Sequence, residues 1–279
     1  MVDHDDFDID AVLTETLEYL SVRPDGDVDG RWIGDAPTWF GAVLFGGFVI
    51  AQAIIAATRN APAGRRLHSL HAYFLRPVVA ATSIAYSVRP IREGRSFTSR
   101  HVEASQDGKP VLDLSCSFTT DTDGYVYDLP GPRNLPPLDA SVVEPGPGPW
   151  VASYLGPTPA AEDGTRESTH RMWFRVPAPL PDDEYLHAAL LGFATDWTGI
   201  GGRPLHLEGD IEGMLSLDHA VWFHRPARAD AWLFYDVHSL VNAGGRGLLR
   251  GVMRDGEGRV VVSVVQEMRL TPVETTGII

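Results

Sequence analysis

The feature that most constrains this chain is a helix-length segment at residues 43–57 that is apolar on every side. It carries a glycine pair, Gly46 and Gly47, near its start, and Gln52 is its only strongly polar side chain. A helix without a polar face cannot lie on a surface, so other structure must wrap it. The strand-like run at residues 70–77 that follows indicates that a sheet provides this wrapping.

Size and charge limit the partners. The chain has 279 residues, enough for one large domain or two of ordinary size, and a formal net charge of −14. Nucleic-acid backbones and anionic membrane surfaces are bound by basic patches. We therefore expect no nucleic-acid partner and no membrane partner.

Cysteine usage and motif content limit the cofactors. Cys116 is the sole cysteine, which excludes an internal disulfide and a multi-cysteine zinc site. It lies in an alternating run that predicts a small buried hydrophobe. The sequence contains no phosphate-binding loop, dinucleotide fingerprint or His/Glu metal spacing. We expect no metal and no cofactor.

The two ends and the longest apolar run suggest a location. The first residues are acidic and lack the basic start and apolar core of a signal peptide. The apolar run at residues 42–57 is short for a membrane span, and the final residues are not a peroxisomal Ser-Lys-Leu address. We expect a soluble cytoplasmic protein.

The first half reads as helices followed by an antiparallel meander. Helical spacing of apolar residues predicts a short helix at 11–20, ahead of the apolar helix. Four strand-like runs follow, with Asp107 and Gly108 at a hairpin tip between the last two. The predicted strands cover residues 66–74, 82–92, 96–106 and 111–119. These elements define a first unit at residues 1–122.

The second half repeats this order after a segment rich in proline and glycine. That segment, residues 123–165, breaks regular structure and predicts a linker. A second unit follows at 166–272, with a helix capped by Asp182 or Asp183 and running through 187–194; residues 273–279 form a tail. Its predicted strands cover residues 171–176, 216–224, 232–240, 247–254 and 260–270.

A nearly constant offset relates the two halves. Arg76 and Arg225, each followed by proline, lie 149 positions apart, and Gly108 and Gly258 lie 150 apart. Two separated motifs at almost the same offset indicate a duplicated α+β unit. With this offset, Gln266 corresponds to Cys116, and Asp196 corresponds to the region of Gly46 and Gly47.

Two polar residues stand out against apolar surroundings. Asp196 follows the apolar run 190–194, and a carboxylate there is costly unless it is paired. It is either a base that takes a proton from water or a surface residue at a helix end. Gln266 interrupts the buried-strand pattern of residues 260–265, and its amide suits the fixing of a water molecule.

The motifs together resemble the type II acyl-CoA thioesterases, a double-hotdog family, from about residue 13 to residue 270. The resemblance implies an α+β double hotdog, with two tandem repeats that each wrap a curved antiparallel sheet around a central helix. It also implies hydrolysis of acyl-CoA to a free acid and coenzyme A. The motifs that carry it are Phe45-Gly46-Gly47 with Gln52-Ala53, His68-Ser69, Tyr73-Phe74-Leu75-Arg76-Pro77, Gly108-Lys109-Pro110, Ala194-Thr195-Asp196, Asp218-His219, Trp222-Phe223-His224-Arg225-Pro226 and Val265-Gln266-Glu267.

The resemblance implies a catalytic trio of Asp196, Ser216 and Gln266, which position and activate one water against the thioester carbonyl. The first half lacks such a trio, so we expect one active site per chain. Ser216 is not in a Gly-x-Ser-x-Gly elbow, which argues against a covalent acyl-serine route.

The substrate contacts are expected around the glycine pair. Gly46 and Gly47 permit a close backbone approach to the developing oxyanion, although helix packing explains the pair equally well. Phe48 and Trp197 are expected to line the acyl site. At both positions this chain departs from the usual pattern of the family. The candidate cations for the phosphates of coenzyme A are Arg92, Arg95, Arg246 and Arg250.

Two alternatives remain open. Asp182 and His187 have the Asp-x-x-x-x-His spacing of hotdog hydratases, which would indicate water addition to an enoyl-CoA. The second alternative is a catalytically silent module that binds acyl-CoA. In every case, exposed strand edges and a broad sheet face predict a homo-oligomer, a dimer or higher.

Overall fold

The computed structural model describes residues 9–59, 61–120, 124–128, 135–159, 162, 170–197 and 211–272. The predicted boundaries at 122 and 165 and the tail at 273–279 lie outside these residues. The elements of the first half are α1 (Ile9–Leu20), β1 (Val22–Pro24), β2 (Arg31–Gly34), α2 (Gly46–Thr58), β3 (Arg66–Phe74), β4 (Ile84–Glu93), β5 (Phe97–Gln106) and β6 (Lys109–Thr119).

The second half opens with a 3-10 turn at Ala140–Val142 and contains one described α-helix. None of the helices in the described ranges is long and apolar enough to cross a membrane. The remaining elements are β7 (Val143–Pro145), β8 (Val151–Tyr154), β9 (His170–Arg175), α3 (Glu184–Thr195), β10 (Ile211–Ser216), β11 (Asp218–Phe223), β12 (Leu233–Ala243), β13 (Arg246–Arg254) and β14 (Val260–Pro272).

One antiparallel sheet joins the described strands. Its order is β1-β2-β4-β5-β6-β3-β11-β14-β13-β12-β9-β8-β7, and β10 pairs with β14 off this path. The β3–β11 pairing joins the halves, and the order reads alike outward from it: β3, β6, β5, β4, β2, β1 on one side and β11, β14, β13, β12, β9, β8 on the other. The registers also agree, because Arg100 pairs with Cys116 as Leu249 pairs with Gln266.

The two central helices pack against each other within this sheet. Ten of the residues of α2 are buried, as the apolar pattern predicted. Gly192 of α3 lies so close to α2 that a Cβ there would meet Ile54 Cδ1 at 2.6 Å. The α2 helix has Phe45 as its N-cap residue, without any side-chain hydrogen bond from it. Its first amide groups therefore need partners from elsewhere.

The linker region contains more regular structure than the sequence predicted. Strands β7 and β8 lie inside residues 123–165, and β8 continues the sheet beside β9. Pro145 is the last residue of β7, which is the terminal strand of the sheet. Proline has no backbone N–H, and an edge strand tolerates this loss. Strands β1 and β2, likewise short and flanked by glycine or proline, were also missed.

Gln52, the polar interruption of α2, ties the helix to the layer before it. Its Nε2 donates to the carbonyl oxygens of Tyr19, at the end of α1, and Asp35, after β2. Its Oε1 accepts from the Tyr86 hydroxyl at 2.7 Å. The side chain is fully buried with every polar atom satisfied, so it anchors α2 at one depth in the sheet.

Replacing Gln52 by leucine is expected to lower the free energy of unfolding by about 2–4 kcal/mol, because two carbonyls and one hydroxyl lose a buried partner. Tyr86→Phe is the matched control: it removes one of these hydrogen bonds and should cost about 1–2 kcal/mol. Urea unfolding of both variants checks this. Equal stability of Gln52→Leu and wild type would contradict the anchoring role.

Candidate active site

Three polar side chains from separate elements of the second half meet at one point. Asp196 is the C-cap residue of α3, Ser216 ends β10 and Gln266 lies in β14. The Ser216 hydroxyl donates to Asp196 Oδ1 at 3.0 Å. The Gln266 Nε2 donates to the same oxygen at 2.7 Å and to Ser216 Oγ at 2.7 Å. The trio that the resemblance implied is therefore one hydrogen-bonded cluster.

The second oxygen of Asp196 reaches across to the first half. Gly47 N–H, the second amide of α2, donates to Asp196 Oδ2 at 2.8 Å. A carboxylate at the end of its own helix is disfavoured by the helix dipole, whereas one at the start of another helix is favoured. Asp196 therefore supplies the cap that α2 lacks, and α2 stabilises the charge on Asp196, which is 3 % exposed.

The glycine pair makes this approach possible. A Cβ on Gly47 would lie 2.2 Å from the carbonyl oxygen of Phe193 in α3, and one on Gly46 would lie 2.9 Å from Asp196 Oδ2. Both distances are too short for real atoms, so a larger residue at Gly47 forces the two helices apart and one at Gly46 displaces the Asp196 carboxylate. The sequence left helix packing and site geometry as alternative reasons for the glycine pair. In the structure both reasons require a residue without a side chain.

Buried polar contacts fix the end of α3. The Thr195 hydroxyl donates to the Gly192 carbonyl at 2.7 Å, so its oxygen accepts from His219 Nε2 at 2.8 Å. The Tyr235 hydroxyl donates to the Thr195 carbonyl at 3.1 Å. Burial lowers the pKa of His219, against the opposing effect of the Asp196 and Asp218 carboxylates. His219 therefore donates a hydrogen bond to Thr195, the residue directly before Asp196.

One acceptor in the cluster has no partner. Gln266 is fully buried, and its Oε1 meets no hydrogen-bond donor among the described residues. The amide cannot be turned the other way, because Oε1 would then face the Asp196 carboxylate, which accepts only. Gln266 is therefore held in place by the two bonds that it donates, to Asp196 and Ser216, with one acceptor left unpaired.

A cavity of about 510 Å³ opens beside this cluster. Asp196 and Ser216 line it together with Gly46, whereas Gln266 lies behind them. Most of its remaining walls are apolar, contributed by Phe40, Val43, Leu44, Phe45, Val49, Phe74, Leu75, Pro77, Val78, Met214, Leu215, Leu217 and Met268. The volume is in the range of small-molecule sites.

Two of the predicted substrate contacts, Phe48 and Trp197, are not among the residues that line this cavity. Phe48 is fully buried among other aromatic rings, in edge contact with Trp39 and Phe193. Trp197 is 2 % exposed and packs on Trp150 and the β9 side chain Phe174. Apolar side chains near a site give the same sequence pattern whether they face the cavity or the core.

The cations of the cavity also differ from those predicted. Arg76 and Arg269 line it, and neither Arg92, Arg95, Arg246 nor Arg250 does. Arg246, which lies opposite Arg269 on the neighbouring strand, forms an ion pair with Glu267 at 3.0 Å. The Arg-Pro motif marked Arg76 in the sequence, as part of the repeat and of the family resemblance, but did not identify it as a residue of the cavity.

The offset of 149 does not extend through the helices. Helix α2 begins at Gly46 and α3 at Glu184, 138 positions later, because the connection after α3 is longer and includes β10. The equivalent of Asp196 is therefore near Thr58, at the end of α2, and the prediction that placed it in the region of Gly46 and Gly47 is wrong. Asp196 and Gly47 are contact partners, not counterparts.

Gly47→Ala is expected to lower both stability and kcat, because the new methyl group must displace the Phe193 carbonyl and move Asp196 off its amide partner. Overpacking of this kind costs about 1–3 kcal/mol. Gly256→Ala is the control, since a Cβ at Gly256 meets nothing within 4 Å. Chemical unfolding and turnover of both variants test this; a Gly47→Ala variant indistinguishable from Gly256→Ala would contradict it.

Known structures share this fold. A crystal structure of an acyl-CoA thioesterase II from Mycobacterium marinum matches with a TM-score of 0.79 and 32 % identity, covering 94 % of this chain and 99 % of that one. A protein from Alicyclobacillus acidocaldarius described as having a hot dog fold matches with a TM-score of 0.72 at 18 % identity, covering 92 % of this chain and 98 % of that one. The fold is therefore a hotdog fold.

Known sequences agree. The chain is 30 % identical over 246 residues to an acyl-CoA thioesterase 2 of Haemophilus influenzae, covering 80 % of this chain and 86 % of that protein. It is 28 % identical to human acyl-coenzyme A thioesterase 8, covering 80 % and 79 %. Family models for the N-terminal and C-terminal domains of acyl-CoA thioesterases match residues 35–119 and 129–270. The chain belongs to the acyl-CoA thioesterase family.

Proposed function

We propose that this acyl-CoA thioesterase cleaves its substrate by direct attack of a water molecule that Asp196 activates, with Ser216 and Gln266 as its positioning partners. The observation that carries the proposal is the shared Asp196 Oδ1, which accepts from both partners at the wall of an open cavity. A carboxylate held by fixed donors is ready to orient a water without further reorganisation.

In this mechanism the water gives a proton to Asp196 while its oxygen bonds to the thioester carbonyl carbon. The tetrahedral oxyanion then collapses, the C–S bond breaks, and the sulfur leaves with the proton that Asp196 returns. The products are a free carboxylic acid and coenzyme A. General base catalysis of this kind contributes about 10²- to 10⁴-fold to the rate.

The oxyanion needs a donor that is not already used. Gly47 N–H is occupied by Asp196 Oδ2, and Phe48 N–H donates to the Phe45 carbonyl at 3.1 Å. Gly46 N–H, the first amide of α2, has no partner within the helix, and Gly46 lines the cavity. This amide, at the positive end of α2, is our candidate for the oxyanion contact.

The cavity walls suit the two ends of an acyl-CoA. Apolar side chains from the start of α2 and from β14 offer a surface for the acyl chain. Arg76 and Arg269, which lie among the lining residues, offer positive charge to the phosphates of coenzyme A in a chain of net charge −14. An acyl-CoA is the small-molecule partner that this arrangement supports.

The double-hotdog organisation is part of this proposal, with repeats at residues 1–122 and 166–272, a linker at 123–165 and a tail at 273–279. The like strand order on both sides of the β3–β11 pairing supports it. Two central helices, one from each half, meet inside the sheet. Within the part of the chain that the structure describes, one such cluster is found, at the end of α3, which supports one hydrolytic site per chain.

Self-association stays a prediction of the proposal. The terminal strands β1 and β7 are three residues each and contain Pro24 and Pro145. Short strands with proline do not favour pairing between copies. A homo-oligomer, if formed, is therefore expected to use the outer sheet face instead of these edges.

The hydratase alternative has less support. The Asp182 side chain is fully exposed and paired with Arg228 at 3.1 Å. His187 Nδ1 accepts from the backbone N–H of Ala229 at 3.1 Å, which leaves the ring proton on Nε2. Neither group is free to act as the base for a water, and both lie away from the Asp196 cluster.

Asp196→Asn is expected to reduce kcat for acyl-CoA hydrolysis by about 10²-fold or more, because the amide cannot take the proton. The readout is release of free thiol from acyl-CoA substrates of several chain lengths. Cys116 adds no background in the folded protein, since burial raises the pKa of its thiol to about 12. Asp113→Asn, at an exposed pair with His101, is the control.

The same assay separates the alternatives. Near wild-type turnover by a folded Asp196→Asn protein would overturn the base assignment. A hydratase would convert an enoyl-CoA without releasing thiol. A silent binding module would show a shift of melting temperature with acyl-CoA and no consumption of it.

Ser216 tests the positioning role and the absence of a covalent route. Ser216→Thr keeps a hydroxyl and should retain most activity, whereas Ser216→Ala should lose about 3- to 10-fold, the equivalent of one hydrogen bond. Complete loss of activity in Ser216→Ala, together with an acyl adduct on the wild-type protein by mass spectrometry, would instead indicate a serine nucleophile.

A further inference from the structure

The described residues contain a second cavity, of about 410 Å³, at the equivalent position of the other half. It is lined by Phe223, Arg225 and Pro226, whose counterparts Phe74, Arg76 and Pro77 line the first cavity. The same relation holds for the helices. Glu184 and His187 at the start of α3 line the second cavity, and Gly46 and Val49 at the start of α2 line the first.

The second cavity lacks counterparts of Asp196 and Gln266 among the described residues. Cys116 stands at the position equivalent to Gln266, and the Asp196 position falls near Thr58 at the end of α2. The start of α3 needs no carboxylate from the other half, because Asp183 caps it locally by accepting from the amides of Tyr185 and Leu186. The shape of the site is thus retained while its water-activating cluster is absent.

His187 provides the chemistry of this second cavity. Its side chain lies in the wall and the residue is only 4 % exposed. Nδ1 accepts from Ala229 N–H, so Nε2 carries the proton, yet Nε2 has no acceptor among the described residues. Burial, with the nearby Arg228, lowers the pKa of His187 against the opposing effects of Asp230, Asp182 and the Pro181 carbonyl. A buried donor without a partner is costly, and an acceptor oxygen of a ligand would satisfy it.

The cations of the wall have partners within the protein, and Arg66 donates to the Phe223 carbonyl at 3.3 Å. Arg225 is paired with Asp128 at 2.9 Å, and Arg228 with Asp230 at 2.9 Å. Asp182 and Glu184 also line the cavity. The rest of the wall is mainly apolar, formed by Leu67, Ala188, Leu191, Phe223, Pro226 and Ala227. The complementary ligand is an alkyl chain that ends in a carbonyl oxygen.

We propose that this second cavity is a non-hydrolytic acyl-binding site, in which His187 Nε2–H donates to the carbonyl oxygen of an acyl thioester or of a free carboxylic acid. The choice of an acyl ligand rests on the proposed function, because the cavity is the equivalent of the one that takes the acyl-CoA. Such a site would let the enzyme respond to its own substrate or product at a distance from the cluster.

The test is binding stoichiometry by calorimetry on the full chain. One probe is the ketone analogue of decanoyl-CoA, in which a methylene group between sulfur and carbonyl prevents hydrolysis; the other is sodium decanoate. The proposal expects two equivalents per chain for at least one probe. A second equivalent of the analogue identifies a thioester site, and a second equivalent of decanoate identifies a carboxylic-acid site.

Two variants test whether the second equivalent of ligand binds in this cavity. His187→Asn keeps an acceptor for Ala229 N–H but removes the Nε2 donor, and should weaken the second binding event about 3- to 10-fold. Ala227→Phe fills the cavity from another wall and should abolish it. Neither change should alter the first binding event or the rate of thiol release.

The outcomes separate this proposal from the previous one. One equivalent for both probes overturns the second site and leaves the hydrolytic site intact, whereas no binding of the analogue at all would count against the hydrolytic site as well. A second equivalent that persists unchanged in both variants also overturns the assignment to this cavity.

Discussion

The structure depends on one contact between its halves, the hydrogen bond from Gly47 N–H to Asp196 Oδ2. It places the end of one central helix against the start of the other, where the helix dipole favours a negative charge. The same contact caps α2, fixes the approach of the two helices and leaves Asp196 Oδ1 for Ser216 and Gln266. Folding and the candidate chemistry therefore make use of a single carboxylate.

Asymmetry between two similar halves explains why hydrolytic groups are found in only one of the two cavities. The start of α3 is capped by its own Asp183, whereas the start of α2 has no side-chain cap and takes Asp196. The longer connection after α3 adds β10, which brings Ser216 to the cluster. The two similar halves thus have one described cavity each, and the cluster of Asp196, Ser216 and Gln266 lies beside one of them.

The sequence predicted the regular elements well because their patterns were long. The buried helix α2 and strand β3 were predicted from apolar pattern, and β3 at its observed bounds. Short strands such as β7 were missed, because a three-residue strand closed by Pro145 has no periodicity to detect. The repeat offset failed through the helices, since a single longer connection shifts the alignment.

The site was predicted in part. The members of the polar trio follow from a resemblance in motif, and the three side chains are in contact. The cavity wall was not predictable in the same way, because buried aromatics such as Phe48 and Trp197 look alike in sequence whether they face a core or a ligand. The cavity arginines, Arg76 and Arg269, are brought together only by the sheet.

The most direct measurement is a crystal structure of the protein with the ketone analogue of an acyl-CoA bound. The account predicts the carbonyl carbon about 3–3.5 Å from a water held by Asp196, with the carbonyl oxygen facing Gly46 N–H. A carbonyl placed elsewhere in the cavity, with no water between it and Asp196, would contradict direct hydrolysis by this cluster.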